Sequence, residues 1–276
     1  MEEKKQNLGV PVAIVIAGIA IAGAIIYSNN TTAASKLSTD HPIAESLGLD
    51  IKKFSECVEN KTFADEISKQ HDLGVSLGLQ GTPHSIVILK DGTGYRINGA
   101  YPYNTVALTI EAALSGVSTE KIQHFLDMFQ EQGITEEDIN SYVQKKIIPT
   151  IEAYQNGEEV AKTEIDSASI VERKDEILST GHLLGNENAA VTVVEFSDME
   201  CPYCPRFHST MDQVYKEYEE TGEVAWRYSS FFPFDSNPQA HPNARAQAEA
   251  VECAASVGGE DMFWAYIEKQ FTANGL

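Results

Sequence analysis

Residues 10–27 form an unbroken run of Val, Ile, Ala and Gly closed by Tyr27, with one Pro near its start and no charge. Eighteen helical residues rise about 27 Å, nearly the hydrocarbon thickness of a bilayer, so residues 1–30 are expected to be a membrane anchor or a long signal sequence. The polar Ser-Asn-Asn-Thr-Thr that follows separates the run from any small-x-small cleavage site, which favours the retained anchor. Lys4 and Lys5 favour a cytoplasmic N-terminus, with everything after Tyr27 expected outside. Beyond a polar spacer the pattern becomes that of a globular domain. Helices are expected at 42–49, at 51–60 with Phe54, Cys57 and Val58 on one face, and from a Thr62 cap through residue 71 with Phe63, Ile67 and Leu73 inward. After a Gly-Pro loop at 78–83, the apolar run 85–89, the turn 90–94 and the run 95–98 predict a β-hairpin, followed by a helix carrying Val106, Leu108, Ile110 and Leu114.

The middle of the chain differs. Two helical stretches, 119–132 and 135–155, carry few aromatics, and the second opens on Thr135-Glu-Glu-Asp138, a capping-box pattern. Residues 158–179 are polar and charged without sustained periodicity, so 117–180 reads as a helical insert followed by a linker. Periodicity then tightens: a turn at 185–188, a strand at 191–197, a helix to about residue 221, a strand at 223–229, an alanine-rich helix at 241–257 and a last helix at 261–271. Phe263, Trp264, Ile267 and Phe271 are expected on its buried side; Phe231, Phe232, Phe234 and Tyr101 could suggest an aromatic binding strip, but such residues are more often core, and only exposed aromatics near Pro83 and Cys201 would justify a client groove.

With 276 residues there is room for one sizeable domain plus appendages. Forty-one Asp and Glu against 20 Lys and Arg, a formal charge of −21, disfavour electrostatic capture of nucleic acid or anionic lipid. The four cysteines change the picture more. Cys201-Pro202-Tyr203-Cys204 stands where the strand at 191–197 turns into a helix, and two thiols at that spacing at a helix N-terminus point to redox chemistry. The helix's free N–H groups and positive end favour a thiolate on Cys201, the candidate nucleophile, and Cys204 is close enough to resolve it. A zinc half-site or a short structural disulfide shares the pattern. Zinc would need two further ligands, but Cys57 and Cys253 stand alone, and His208 is expected on the outer face of the new helix. Glu195 interrupts the apolar strand six residues before Cys201. It is read as a desolvated acid able to exchange protons with Cys204, the alternative being a solvent-facing position on an alternating strand.

The stretch Gly185-Asn-Glu-Asn-Ala-Ala-Val-Thr-Val-Val-Glu-Phe-Ser-Asp-Met-Glu-Cys-Pro-Tyr-Cys204 resembles the first strand and active-site turn of the DsbA-like thiol–disulfide oxidoreductases of the thioredoxin superfamily. His241-Pro-Asn-Ala244 and Ala250-Val-Glu-Cys253 resemble the start of that family's inserted helical domain. Leu47-Gly-Leu-Asp50, Gly81-Thr-Pro83 and Gly99-Ala-Tyr-Pro102 resemble what normally follows. The two halves, 41–115 and 181–276, therefore stand in reversed order. A circular permutation bridged by 117–180 explains this, the rival being two truncated tandem domains. Implied is an α/β, thioredoxin-like fold with an inserted helical domain, circularly permuted, behind an N-terminal transmembrane helix.

The resemblance also implies roles. Thr82-Pro83 matches the loop whose cis proline faces the C-x-x-C and receives a client's extended backbone, with Pro202 and Tyr203 on the same face; an ordinary X-Pro turn is the alternative. The family commonly carries an acid at the offset of Glu195. Tyr203 offers no charge, unlike the histidine of the most oxidising members, which implies an intermediate potential. Some DsbA-like proteins carry a second disulfide in the helical domain, and Cys57 with Cys253 would supply one across the two halves, the alternative being two unpaired buried thiols. Neither an organic cofactor nor a metal is implied. Expected partners are exported client proteins with thiols and a membrane or soluble redox partner, with no nucleic acid. A client-binding or chaperone module with incidental thiols, and an incomplete interaction fragment, are the other classes the sequence allows.

Overall fold

The strand β4, Val191–Ser197, is buried along its whole length, as expected of a β-branched and aromatic run flanked by strands on both sides. The computed structural model describes residues 41–117, 122–123, 126–127, 168–235, 237 and 239–274. The expected anchor at 1–30, the capping box at Thr135 and most of the insert lie outside them. No helix among the described residues is long and apolar enough to cross a membrane.

Three helices lead in: α1, Pro42–Ser46; α2, Ile51–Glu59; and α3, Ala64–Ser76. Asp50 caps α2 by accepting from the Lys53 N–H. Thr62 does not cap α3. Its hydroxyl donates back to the Cys57 carbonyl at 3.0 Å, Phe63 occupies the N-cap position, and the helix continues past residue 71 because Leu73 and Gly74 are buried in its last turns. The hairpin of β1, His84–Leu89, and β2, Gly94–Asn98, precedes α4, Tyr103–Leu114. Two short helices, α5, Ala168–Glu172, and α6, Lys174–Ser179, then occupy the stretch read as linker. They form because Ile170 and Ile177 are buried against the sheet, two apolar residues too sparse to register as a periodicity. The rest is β3, His182–Leu184; β4; α7, Cys204–Tyr218; β5, Val224–Ser230; α8, Ala244–Gly258; and α9, Glu260–Ala273.

One five-stranded sheet in the order β2-β1-β4-β5-β3 unites strands from both ends of the sequence. β1 runs antiparallel to β4, with His84 opposite Phe196 and Leu89 opposite Val191, whereas β4 and β5 are parallel. β3 adds an antiparallel edge of three residues. Side chains alternate between two cores. Val87, Val191, Val193 and Trp226 meet α4 and α7 on one face, and Ile86, Ile88, Val194 and Phe196 meet α3, α5 and α6 on the other. Ile122 and Leu126 are buried in the first of these cores.

A third cluster, with Phe54, Val251, Cys253, Phe263, Tyr266 and Ile267, is the core of a helical layer made by α1, α2, α8 and α9. Burial of each such side chain contributes roughly 1.5–3 kcal/mol. Cys57 on α2 and Cys253 on α8 form a disulfide across this layer, with Cα atoms 5.8 Å apart. His182 ties the layer to the sheet edge: Nε2 lies 2.7 Å from Glu252 and Nδ1 2.9 Å from Glu260, with the ring stacked on Phe263. The described residues from Pro42 onward fall into a single compact unit.

Candidate active site

β4 ends at Ser197 and the chain turns tightly into α7. The Asp198 carbonyl accepts from the Cys201 N–H at 3.1 Å, and the Cys201 carbonyl from the Cys204 N–H at 3.3 Å. This turn leaves both cysteine side chains inside the protein, Cys201 4% exposed and Cys204 fully buried, with free thiols. Pro202 and Tyr203 between them are exposed, and the Arg206 guanidinium lies over the Tyr203 ring.

The loop before β1 comes from the other half of the sequence and lies against Cys201. Because β1 pairs with β4 from His84 to Leu89, its leading residues Thr82 and Pro83 are delivered to the turn that follows β4. The Cys201 thiol donates to the Thr82 carbonyl at 3.1 Å, and the Thr82–Pro83 peptide bond is cis. The next residue, His84, is buried and kept neutral, its pKa lowered to about 4 by desolvation.

The two thiols are unlike acids. A hydrogen bond from Cys204 is the largest influence on Cys201; the N–H groups of Tyr203 and Cys204 act in the same direction and outweigh burial, lowering its pKa to about 6. Burial and the neighbouring Cys201 push Cys204 well up instead. At neutral pH Cys201 is therefore the thiolate and Cys204 the proton donor to it.

Glu195 has no exposure, since β4 is covered on both faces and its alternation never reaches solvent. Desolvation raises its pKa to about 8, opposed by hydrogen bonds from Ser197 and Trp226 and aided by the charge of Cys201. The Trp226 indole N–H donates to Oε2 at 3.1 Å. Trp226 was not distinguishable in the sequence from any other buried aromatic of β5.

His208 is not on the outer face of α7. It is wedged among Trp226, Phe271 and Trp264, at centroid distances of 4.6, 5.3 and 6.4 Å, and burial lowers its pKa to about 4. The reason is that the Phe271 and Trp264 rings of α9 reach over the side of α7 that a lone amphipathic helix would expose. Phe231 and Phe232 are core residues, Trp264 and Tyr101 are partly buried, and Phe234 is 47% exposed. Among the described residues, the one cluster with metal-ligating atoms in range is Cys57, Glu249 and Cys253, and its two sulfurs are joined in the disulfide.

Comparison with known proteins separates the chain into the same two parts. A family model described as a DSBA-like thioredoxin domain matches residues 19–111, and one described as thioredoxin matches residues 178–275. Among curated proteins, the Na(+)/H(+) antiporter NhaA 1 of Mycolicibacterium gilvum (strain PYR-GCK) is 35% identical over 91 residues, 33% of this chain and 13% of that protein. The Na(+)/H(+) antiporter NhaA 3 of Salinispora tropica is 36% identical over 83 residues, 30% of this chain and 11% of that protein. The chain thus spans about an eighth of the length of such relatives. No solved structure matches significantly. With a five-stranded mixed sheet, a C-x-x-C at the mouth of a buried parallel strand and the described residues of both family matches from Pro42 onward in one compact unit, the chain is a DsbA-like protein of the thioredoxin superfamily.

Proposed function

We propose that this protein is a thiol–disulfide oxidoreductase in which Cys201 exchanges with a client's sulfur. The observation that carries the reading is the division of labour between the two thiols: Cys201, whose thiol form donates to the Thr82 carbonyl at 3.1 Å and whose thiolate is stabilised by Cys204 and by the N–H groups of the turn, and a buried, protonated Cys204 behind it. In the oxidising direction, a client thiolate attacks the Cys201–Cys204 disulfide. Its sulfur bonds to Cys201, and the electron pair of the broken S–S bond leaves on Cys204, which takes up a proton. A second client thiolate then attacks the client sulfur of this mixed disulfide, leaving the client oxidised and Cys201 reduced as the thiolate. In the reducing direction the steps reverse, and Cys204 must lose its proton to attack. Glu195, buried on β4 with its pKa raised to about 8, is the group suited to accept it in its carboxylate form. Thr82, Pro202 and Tyr203 offer the surface on which the client chain rests, with Pro83 buried next to Thr82. A low Cys201 pKa without a charged residue between the cysteines agrees with an intermediate potential.

Supporting the finer reading are the order of the two family matches and their union in one sheet, which suit a circular permutation with 41–115 as the usual second half and 181–276 as the first. Anchoring by residues 1–30 with the redox domain on the extracytoplasmic side, acting on exported thiol proteins, suits the apolar run at 10–27 and a disulfide at Cys57–Cys253. Substitution Cys201→Ser is expected to abolish exchange with a dithiol peptide, and full retained activity would overturn the mechanism. A client-binding module would instead keep its clients with both Cys201 and Cys204 replaced by Ser. A rewired chain in which 181–276 precede 41–115 is expected to fold and keep exchange.

A further inference from the structure

Three residues before Cys201, Asp198 is fully buried, and the thiol chemistry above makes no use of its carboxylate. Oδ1 accepts from the Glu200 N–H at 2.9 Å, and Oδ2 lies 2.6 Å from His241 Nδ1. A carboxylate can only accept, so His241 donates. The main chain of the same residue serves both cysteines: its carbonyl accepts from the Cys201 N–H, and its own N–H reaches the Cys204 sulfur. His241 belongs to the segment leading into α8, where the Phe234 ring meets it edge-on at 4.8 Å. Beside this pair, Glu200 accepts from the Asn243 N–H at 2.6 Å and from its side-chain amide at 2.8 Å. The acids of Asp198-Met199-Glu200 are thus matched in order by His241 and Asn243.

A buried carboxylate is costly unless it is paired. A carboxylate carried on the turn that holds a thiolate opposes it when uncompensated, because like charges raise each other's pKa. Asp198 is therefore useful for its backbone and adverse for its charge, unless a donor offsets that charge. Desolvation raises the Asp198 pKa, and the His241 hydrogen bond is the largest influence opposing the rise.

The geometry points to His241 as a positioning residue of the redox site: by donating to the Asp198 carboxylate it offsets the buried anion beside the Cys201–Cys204 turn and keeps that anion from opposing the Cys201 thiolate. This rests on the thiol–disulfide reading of Cys201 and Cys204. The groups facing Asp198 are His241 from the segment before α8, Tyr228 from β5, and Glu200 and the Cys204 sulfur from its own turn, with Asp235 and Arg245 lining the same small cavity.

The test uses the full chain in four forms: wild type, His241→Ala, Asp198→Asn and the double variant. The readouts are the Cys201 thiolate pKa, from its ultraviolet absorbance, and the equilibrium with glutathione. Uncompensated, Asp198 is expected to raise the Cys201 pKa by about one unit in His241→Ala. Starting from about 6, that lowers the equilibrium constant for reduction about fivefold at pH 7. In the double variant the Asp198→Asn side chain keeps an acceptor for the Glu200 N–H but carries no charge, so both readouts return to within about twofold of wild type. An unchanged pKa in His241→Ala, or a double variant displaced as far as the single one, the mark of a packing role, overturns the inference. Should His241→Ala not fold, Asp198→Asn decides alone: its Cys201 pKa is expected to fall, and a rise overturns the inference. Wild-type protein that exchanges no disulfides through Cys201 would defeat the reading of the site, whereas intact exchange with an unmoved pKa would defeat only the role of His241.

Discussion

Replacing Glu195 by Gln isolates the energetic cost of a carboxyl group on a strand buried on both faces. The group's pKa is about 8 in the folded protein against an ordinary value of 4.5, with desolvation the largest cause. A carboxyl whose folded pKa is raised holds its proton longer folded than unfolded. Its stabilising contribution is complete below pH 4.5 and is lost as pH rises toward 8. At 1.36 kcal/mol per unit, the loss is about 3 kcal/mol by pH 7 and about 5 kcal/mol across the window. Cys201 runs the other way: its depressed pKa, about 6 against 9, contributes stability present above 9 and lost as pH falls through 6. The oxidised protein removes that contribution, since a disulfide does not titrate. Urea unfolding of oxidised wild type and Glu195→Gln from pH 4.5 to 8.5 is therefore the assay. The variant is expected to gain on wild type with rising pH, with a slope approaching 1.36 kcal/mol per unit and an advantage of about 2–3 kcal/mol at pH 7. Gln keeps an acceptor for the Trp226 indole, so the hydrogen bond at 3.1 Å survives the change. A difference independent of pH, or one that shrinks as pH rises, would refute the raised pKa.

Breaking the Cys57–Cys253 disulfide in a double Ser variant is expected to cost about 3–5 kcal/mol, because it closes a loop with a sequence separation of 196 residues. Exchange through Cys201 should persist below the lowered melting temperature, as calorimetry beside an activity assay would show. Gly181 has φ +59°, and a Cβ there would collide with the Tyr228 carbonyl oxygen. Gly181→Ala is therefore expected to lose about 2–4 kcal/mol and to loosen β3 from β5, read by denaturation and by faster amide exchange at Tyr228. Trp226→Phe removes the donor to Glu195 and is expected to raise that carboxyl's pKa further, at a stability cost of about 1–3 kcal/mol, measured by carboxyl NMR titration and urea unfolding.

Local spacing by itself determined most of the regular elements. β4 is legible because seven consecutive residues, largely β-branched or aromatic, suit a doubly covered strand, and the C-x-x-C is legible because two thiols at that spacing need nothing distant to suggest their chemistry. The hairpin of β1 and β2 is equally local, with Asp91 and Gly92 in its turn. What packing alone decided is where single residues ended up. β3 is three residues long, below any detectable period, and exists as an edge to β5. α5 and α6 hold their shape through Ile170 and Ile177, whose apolar partners lie on the sheet. His208 looked outward on an isolated helix and is inside because α9 covers it. Alternation along β4 could not say which way Glu195 faces, since both faces of the strand are interior. His241 and Asp198 are 43 residues apart, and their contact depends on how the segment before α8 meets the active-site turn. A periodicity records the conformation of neighbours in sequence, whereas a pair such as this is specified only when separate elements pack together.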